Sequence, residues 1–278
     1  MSVNPVDVKR RAGLDPSATP VIFGYDAAGT VEAVGAAVTT FSPGDEVWYA
    51  GDITRQGGNA ELQAVDERIV GPKPKSLSFK DSAALPLTTI TAWETLFERF
   101  GLTSESRGDL LVLGAAGGVG SVMVQLAKAL TGVRVIATAS RADSQDWAPD
   151  GVDYLFSPHS KGNVETFVDI VRPFGHITAI DEPAGLDVLP LKAKSIAWHW
   201  ELMFTRPLFS YDLIAQQRLL TRTVDSIVRR FGFDRGPPRR RNGPDGRQGR
   251  RPPLAGTRTH TIGLMGSSIP SRSLPRIS

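Results

Sequence analysis

Residues 111–130, LVLGAAGGVGSVMVQLAKAL, leave few folds open to this chain. Asp109–Gly114 is a short apolar run that ends at glycine, the pattern of a buried strand. Beyond the glycines, Val119, Val122, Met123, Leu126, Ala127 and Leu130 recur at spacings of three and four. One face of that helix is therefore apolar and must lie against a sheet. Val133–Ala139 (VRVIATA) reads as a second strand, completing strand–turn–helix–strand. In that setting Ala115-Ala116-Gly117-Gly118-Val119-Gly120 reads as a dinucleotide-binding turn with alanine in its first glycine place. Gly117 lets backbone approach a pyrophosphate and Gly120 lets helix and strand pack closely. The helix N-terminus supplies partial positive charge. A tight turn of purely structural purpose is the alternative.

The end of the second strand reports on the cofactor. An NAD site places Asp or Glu there to hold the ribose 2′-hydroxyl. This chain has Ser140-Arg141, a hydroxyl and a guanidinium that suit a 2′-phosphate. NADPH is the expected cofactor; a solvated arginine after a strand is the plainer alternative.

Around this unit the pattern changes twice. VIFGYDAAGTVEAVG, VTTFSPGDEVWYA and AELQAVDERIV, between residues 21 and 70, read as β structure with Ser-Pro-Gly-Asp at 42–45 as a turn. From Phe79 to Phe100 the period becomes helical, with Ile90, Trp93, Phe97 and Phe100 on one stripe. Further on, VDYLF (152–156) and GHITAID (175–181) are strands and GNVETFVDIV (162–171) a helix. Pro149-Asp150-Gly151 cuts off RADSQDWA before it makes a full helix, so a strand and helix of a doubly wound sheet are expected to be missing near 148–152. The tail is foreign to the rest. Residues 232–278 hold ten Arg, two Asp, no Lys and no Glu, a balance of +8 that leaves the other 231 residues at −5. Fifteen of those 47 are Gly or Pro and only seven are Leu, Ile, Val or Phe, which predicts disorder. Absence of cysteine excludes disulfides and thiolate metal sites. No apolar run reaches membrane-spanning length and no signal peptide precedes the first element, so a cytoplasmic setting is expected.

The motifs NPVDVKRRAG (4–13), GYDAAGTVEAVG (24–35), VTTFSPGDEVW (38–48), LPLTTITAWETLF (85–97), GAAGGVGS (114–121) and AWHWELMFTRPLF (197–209) resemble the medium-chain dehydrogenase/reductase superfamily. The likeness is to its quinone-oxidoreductase branch and the zinc-type alcohol dehydrogenase-like subgroup. The resemblance implies an α/β protein: a GroES-like β-barrel, a Rossmann-type parallel sheet, NADPH in the cleft between them, and a homodimer. On that reading residues 1–84 are an incomplete GroES-like substrate domain and 85–220 a shortened Rossmann domain. Residues 221–278 are an atypical, disordered basic tail. The family has strands before the NPVD segment and helix and strands after Leu220, so a late gene start and a frame change near 221–232 are expected.

Zinc-dependent relatives hold their catalytic metal at places that fall on Asn4, Tyr25-Asp26 and about Leu85. An amide, a phenol, one carboxylate and an aliphatic chain make no zinc site, and no metal is expected. Hydride transfer without a Lewis acid suits a quinone or an α,β-unsaturated carbonyl. By resemblance, Asn4 faces nicotinamide and substrate, Asp7 fixes the local turn, and Lys9 donates a proton or hydrogen bond. Thr89 and Thr91 are expected to offer hydroxyls to the cofactor. Asn4 as a turn start, Asp7 as a cap, Lys9 as a solvated charge and the threonines as an ordinary helix start stand as alternatives. His159, His176, His199 and His260 show no metal-ligand spacing, and WHWE around His199 is open to packing or catalysis. Two other readings compete: an inactive remnant of the family, and non-specific nucleic-acid binding through the arginines. With Phe233 as its single aromatic, the tail has almost no stacking platform for bases.

Overall fold

A computed structural model of the chain describes residues 1–15, 20–138, 151–224 and 261–265. The chain opens with α1 (Pro5–Ala12), started by Asn4 and Pro5 and ending in Lys9, Arg10 and Arg11, where cations suit a helix C-terminus. Strands β1 (Ala27–Val34), β2 (Glu46–Tyr49), β3 (Leu62–Asp66) and β4 (Gly71–Pro72) follow. The short α2 (Phe79–Ser82) is capped by the Ser78 hydroxyl, which accepts the Asp81 N–H at 3.1 Å. Then come α3 (Pro86–Trp93), continuing as a π-helical stretch over Glu94–Arg99, β5 (Asp109–Val112), α4 (Gly118–Leu130), β6 (Arg134–Ala137), β7 (Val152–Ser157), α5 (Val164–Ile170), β8 (Val171–Ala179) and β9 (Ala197–Trp200). Helices α6 (Thr205–Phe209) and α7 (Ile214–Thr223) precede a last described strand, β10 (Thr261–Met265).

Two five-stranded sheets result. The second, β6-β5-β7-β8-β9, is parallel throughout. Alternation along β5 sets its two faces. Leu110 and Val112 meet Val122, Met123, Leu126 and Ala127 of α4, while Leu111 joins Phe167 and Ile170 of α5 on the other side. Both faces are covered, as an all-parallel sheet requires. Among the described residues β6 is an edge of this sheet; residues 139–150, next to the expected gap near 148–152, fall outside the description.

The first sheet has the order β3-β10-β1-β2-β4. Its β1–β2 and β2–β4 pairs are antiparallel, and β10 runs parallel to both β1 and β3. This corrects the expectation of a tail without regular structure, at least over 261–265. Ile262 and Leu264 are 0 % and 2 % exposed and join Ala27, Val31, Val47 and Val65 in the core of this sheet. Composition averaged over 47 residues hides a five-residue alternating segment, and two neighbouring strands supply the pairing that its own propensity lacks. The β-to-helical change expected near 79–85 is visible in the order of elements, yet α7 packs back on β4 and on Glu67–Ile69 of the first sheet's side. None of the helices in the described residues is long and apolar enough to cross a membrane.

Candidate functional site

In an open parallel sheet, ligands bind outside the carboxyl ends of the strands, where the chain order reverses. Here that point lies between β5 and β7, because β6 lies on one side of β5 and β7 on the other. The glycine turn leaves β5 at this place. Gly114 takes φ +67°, a left-handed conformation that makes the sharp turn. Ala115, expected in the fingerprint's first place, lies past the end of β5 with its N–H donating to the Thr138 carbonyl at 2.9 Å. Gly114 at the end of the apolar run was the signal for the bend.

Gly117 caps α4 and Gly118, Val119 and Gly120 form its first turn, whose N–H groups have no acceptor within the helix. Gly117 and Gly118 are exposed, so this donor set is open to solvent. At Gly120 a Cβ would come 2.6 Å from the Gly114 carbonyl oxygen and 2.7 Å from the Ala115 Cα, both backbone atoms. Gly120→Ala is therefore expected to destabilise the protein by about 1–3 kcal/mol, the cost of forced overpacking. A melting temperature equal to wild type would show that helix and strand are not in this contact. These features fit a dinucleotide phosphate: a cradle that side chains would fill, with free donors at a helix start.

Pro158 lies against the turn, where a Cβ on Gly114 would meet its Cγ at 3.3 Å. Residues 157–160 follow β7, with the Ser160 hydroxyl and N–H on the Asp181 carboxylate at 2.7 and 2.6 Å. Residues 180–182 follow β8. Opposite them is α1, whose Lys9 ammonium is ion-paired with Glu182. Both partners are more than half exposed, so the pair is screened by solvent. Helix α3 lies along α4. A Cβ on Gly118 would meet the Thr88 methyl at 2.8 Å. Thr88 is thus the threonine against the glycine turn. Thr91 donates to the Leu87 carbonyl at 3.0 Å, and Thr89 is fully buried with its hydroxyl unpaired. The one-residue difference lies in helical phase, which a repeated Thr-Thr does not reveal. Ser140 and Arg141 lie outside the described residues.

Asn4 and Asp7 come together with a residue that the sequence placed only in a discarded metal site. The Asp7 carboxylate accepts the Asn4 N–H at 2.8 Å and the Gly24 N–H at 2.9 Å, fixing the start of α1 against the strand entry. Asp26, with no exposed surface, accepts the Ser2 hydroxyl at 2.8 Å and the Asn4 amide Nδ2 at 3.1 Å on one oxygen. Its other oxygen accepts the Leu87 N–H at 3.1 Å. Burial pushes the Asp26 carboxyl up to about 7, outweighing the lowering by these donors and by the N-terminal ammonium. Tyr25 beside it is 1 % exposed, edge-on to Phe204 at 5.8 Å, with the Arg10 guanidinium 5.6 Å above its ring.

Zinc does not fit this locus. Both oxygens of Asp26 are taken by donors of the chain itself, Leu85 offers no donor atom, and Asn4 presents its amide nitrogen. Among the described residues no three His, Asp or Glu side chains are placed so that they could hold a metal ion. Protein purified without a histidine tag is expected to carry no stoichiometric zinc by metal analysis; one zinc per chain would overturn this reading.

The register of β8 with β9 explains His199. Thr178 faces His199 and His176 faces Ala197, which lets the two imidazoles stack at 5.3 Å with Nδ1 of His176 3.0 Å from Nε2 of His199. Tyr154 stacks on His176 and Phe100 meets both rings edge-on. Burial lowers both histidines, so they pack as neutral rings. Beyond them Glu201 meets Glu94, with Arg99 on Glu201 at 2.9 Å and Arg206 on Glu94 at 3.0 Å. Burial raises both carboxyls, Glu201 the more because Glu94 is its neighbour.

A parallel sheet with an open glycine turn at its switch point, beside a second five-stranded sheet, has the form of a dinucleotide-dependent enzyme. Comparison with known proteins places the chain further. Residues 1–75 match the model of the alcohol dehydrogenase GroES-like domain. A zinc-type alcohol dehydrogenase-like protein of Staphylococcus aureus (strain COL) is 39 % identical over 259 residues, 81 % of this chain and 77 % of that protein. The NADPH-dependent alkenal/one oxidoreductase of Arabidopsis thaliana chloroplasts is 41 % identical over 179 residues, 60 % of this chain and 45 % of the other. Among solved structures, a candidate zinc-dependent alcohol dehydrogenase protein of Rhizobium etli CFN 42 superposes with a TM-score of 0.72 at 42 % identity, covering 84 % of this chain and 75 % of that one. The chain belongs to the medium-chain dehydrogenase/reductase superfamily, among its zinc-type alcohol dehydrogenase-like proteins.

Proposed function

We propose that this oxidoreductase uses NADPH to reduce a quinone or an α,β-unsaturated carbonyl without a metal. The observation that carries the reading is the pairing of an open glycine cradle, 114–120, with a facing locus whose one buried carboxylate is saturated by protein donors. The Arabidopsis relative, by its name an NADPH-dependent alkenal/one oxidoreductase, supports the same chemistry. Bound NADPH supplies hydride. Gly117–Gly120 hold the pyrophosphate on the first turn of α4, and Ser140 and Arg141 hold the 2′-phosphate. Residues 85–220 form the cofactor side and residues 1–84 the substrate side. Asn4 orients the reacting groups from that side, and Asp7 holds Asn4 at the start of α1. Lys9 donates a proton or hydrogen bond to the substrate, its exposed pair with Glu182 being too weak to withhold it. Because no metal polarises the acceptor, the substrate must bring its own conjugation.

Titration of nucleotide fluorescence and NADPH oxidation with a quinone and an enone test the reading. Arg141→Ala is expected to weaken NADPH by about 1.5–3 kcal/mol, the range for a hydrogen bond to a charged group, and to leave NADH nearly unchanged. Equal losses for both cofactors would remove the 2′-phosphate assignment. No oxidation with any conjugated acceptor would remove the activity.

A further inference from the structure

Asp26 does more at this site than occupy an ancestral metal position. Its carboxylate ties its own strand entry to two other pieces of chain at once: the segment before α1 through Ser2 and Asn4, and the first turn of α3 through Leu87. Leu87 and Thr88 are adjacent. The first bonds Asp26, and the second puts its methyl against Gly118. A continuous path of contacts therefore runs from Asn4 through Asp26 and one turn of helix to the phosphate cradle.

We propose that Asp26 is a positioning residue that holds the Asn4 carboxamide in register with the cofactor cradle, through the first turn of α3. An ionised carboxylate can only accept hydrogen bonds, so it fixes Nδ2 of Asn4 toward itself and decides the amide's orientation. This role rests on the NADPH-dependent reduction proposed above. The ionisable groups around Asp26 are few. The N-terminal ammonium faces it, Asp7 on α1 is turned to the Asn4 and Gly24 N–H groups, Tyr25 adjoins it, and Tyr49 lies on the paired strand β2. Helix α3, PLTTITAW, carries no ionisable side chain.

Asp26→Asn separates positioning from general support. Its amide oxygen can still accept from Leu87, but its N–H₂ group then meets the Nδ2 of Asn4, donor against donor. At pH 8 the variant is expected to bind NADPH within threefold of wild type by fluorescence and to transfer hydride to a quinone or enone at least tenfold more slowly in a single turnover. Asn4→Ala is expected to lose a similar factor, and the double variant to be no slower than Asn4→Ala alone, since residues acting through one another are not additive. A rate within twofold of wild type, an affinity that falls as far as the rate, or multiplied losses in the double variant would each overturn the proposal. A second measurement needs neither turnover nor a variant that folds. The chain has four asparagines, so ¹⁵N-asparagine labelling of the nucleotide-free wild type gives at most four side-chain amide pairs. One pair assigned to Asn4 and protected from solvent exchange at pH 8 is expected. Free exchange at Asn4 would end the proposal whatever the enzyme turns over, whereas a wild type that binds Asn4 as expected yet reduces no acceptor would count against the activity alone.

Discussion

Replacing Asp26 by asparagine is expected to change the pH dependence of stability by about 3 kcal/mol between pH 5 and pH 8, in favour of the variant. The carboxyl is pushed from an ordinary 3.8 up to about 7 by burial. Between those values the unfolded chain releases the proton and the folded chain keeps it. The folded state therefore loses ground as pH rises, by about 1.4 kcal/mol per unit, until the folded carboxyl itself ionises near 7. From pH 5 this spans two units; above 7 the loss is complete. Asparagine has no proton to release, so subtracting the two urea-denaturation curves at each pH isolates this one group. A difference that stays flat from pH 5 to pH 8 would mean that Asp26 ionises normally in the folded protein.

Arg206→Ala is expected to cost about 3–5 kcal/mol, the penalty for stranding a buried charge pair. Its guanidinium, 13 % exposed, reaches Glu94 at 3.0 Å, Glu98 at 2.6 Å and Asp212 at 2.8 Å. Without it, Glu94 is left beside Glu201 in the protein interior with Arg99 as the remaining counter-charge, and must take up a proton. Lysine at 206 keeps the charge but cannot form three directed bonds, so it is expected to fall between. Arg134→Ala is the contrast. That side chain is 67 % exposed on Asp109, and such a surface pair contributes less than about 1 kcal/mol. Denaturation midpoints for the three variants give the order directly; equal losses at 206 and 134 would show that the Glu94 pair is not desolvated.

Legibility followed range. The glycine turn, its flanking strand and the apolar face of α4 were readable because each is specified within 20 residues. That Leu85 offers no donor atom to a metal is readable from residue type alone. What the sequence hid was set by distance in the chain. Glu94 and Arg206 are 112 residues apart, and each alone reads as an ordinary charged position in an apolar motif. His176 and His199 meet only because β8 and β9 pair in one register, which no local spacing encodes. Asp26 looked like the remnant of a ligand set, and its hydrogen bonds to residues 22 and 61 positions away give it a different use. The pairing of Lys9 with Glu182, 173 residues on, is likewise not encoded locally.

Strand β10 has a consequence for the order of assembly. It sits between β1 and β3, so neither of those strands can complete its ladder until residue 261 and those after it have emerged. Pairings that join residues 30 and 62 to residue 261 close loops of about 200 residues, and such distant contacts slow folding. During synthesis the parallel sheet, whose strands lie between 109 and 200, can form first, while β1 waits with one open edge and β3 with no partner strand. Those edges are templates for pairing with other chains. Yield on expression should therefore respond to chaperones that shield nascent strands more than to stabilising changes in the second sheet.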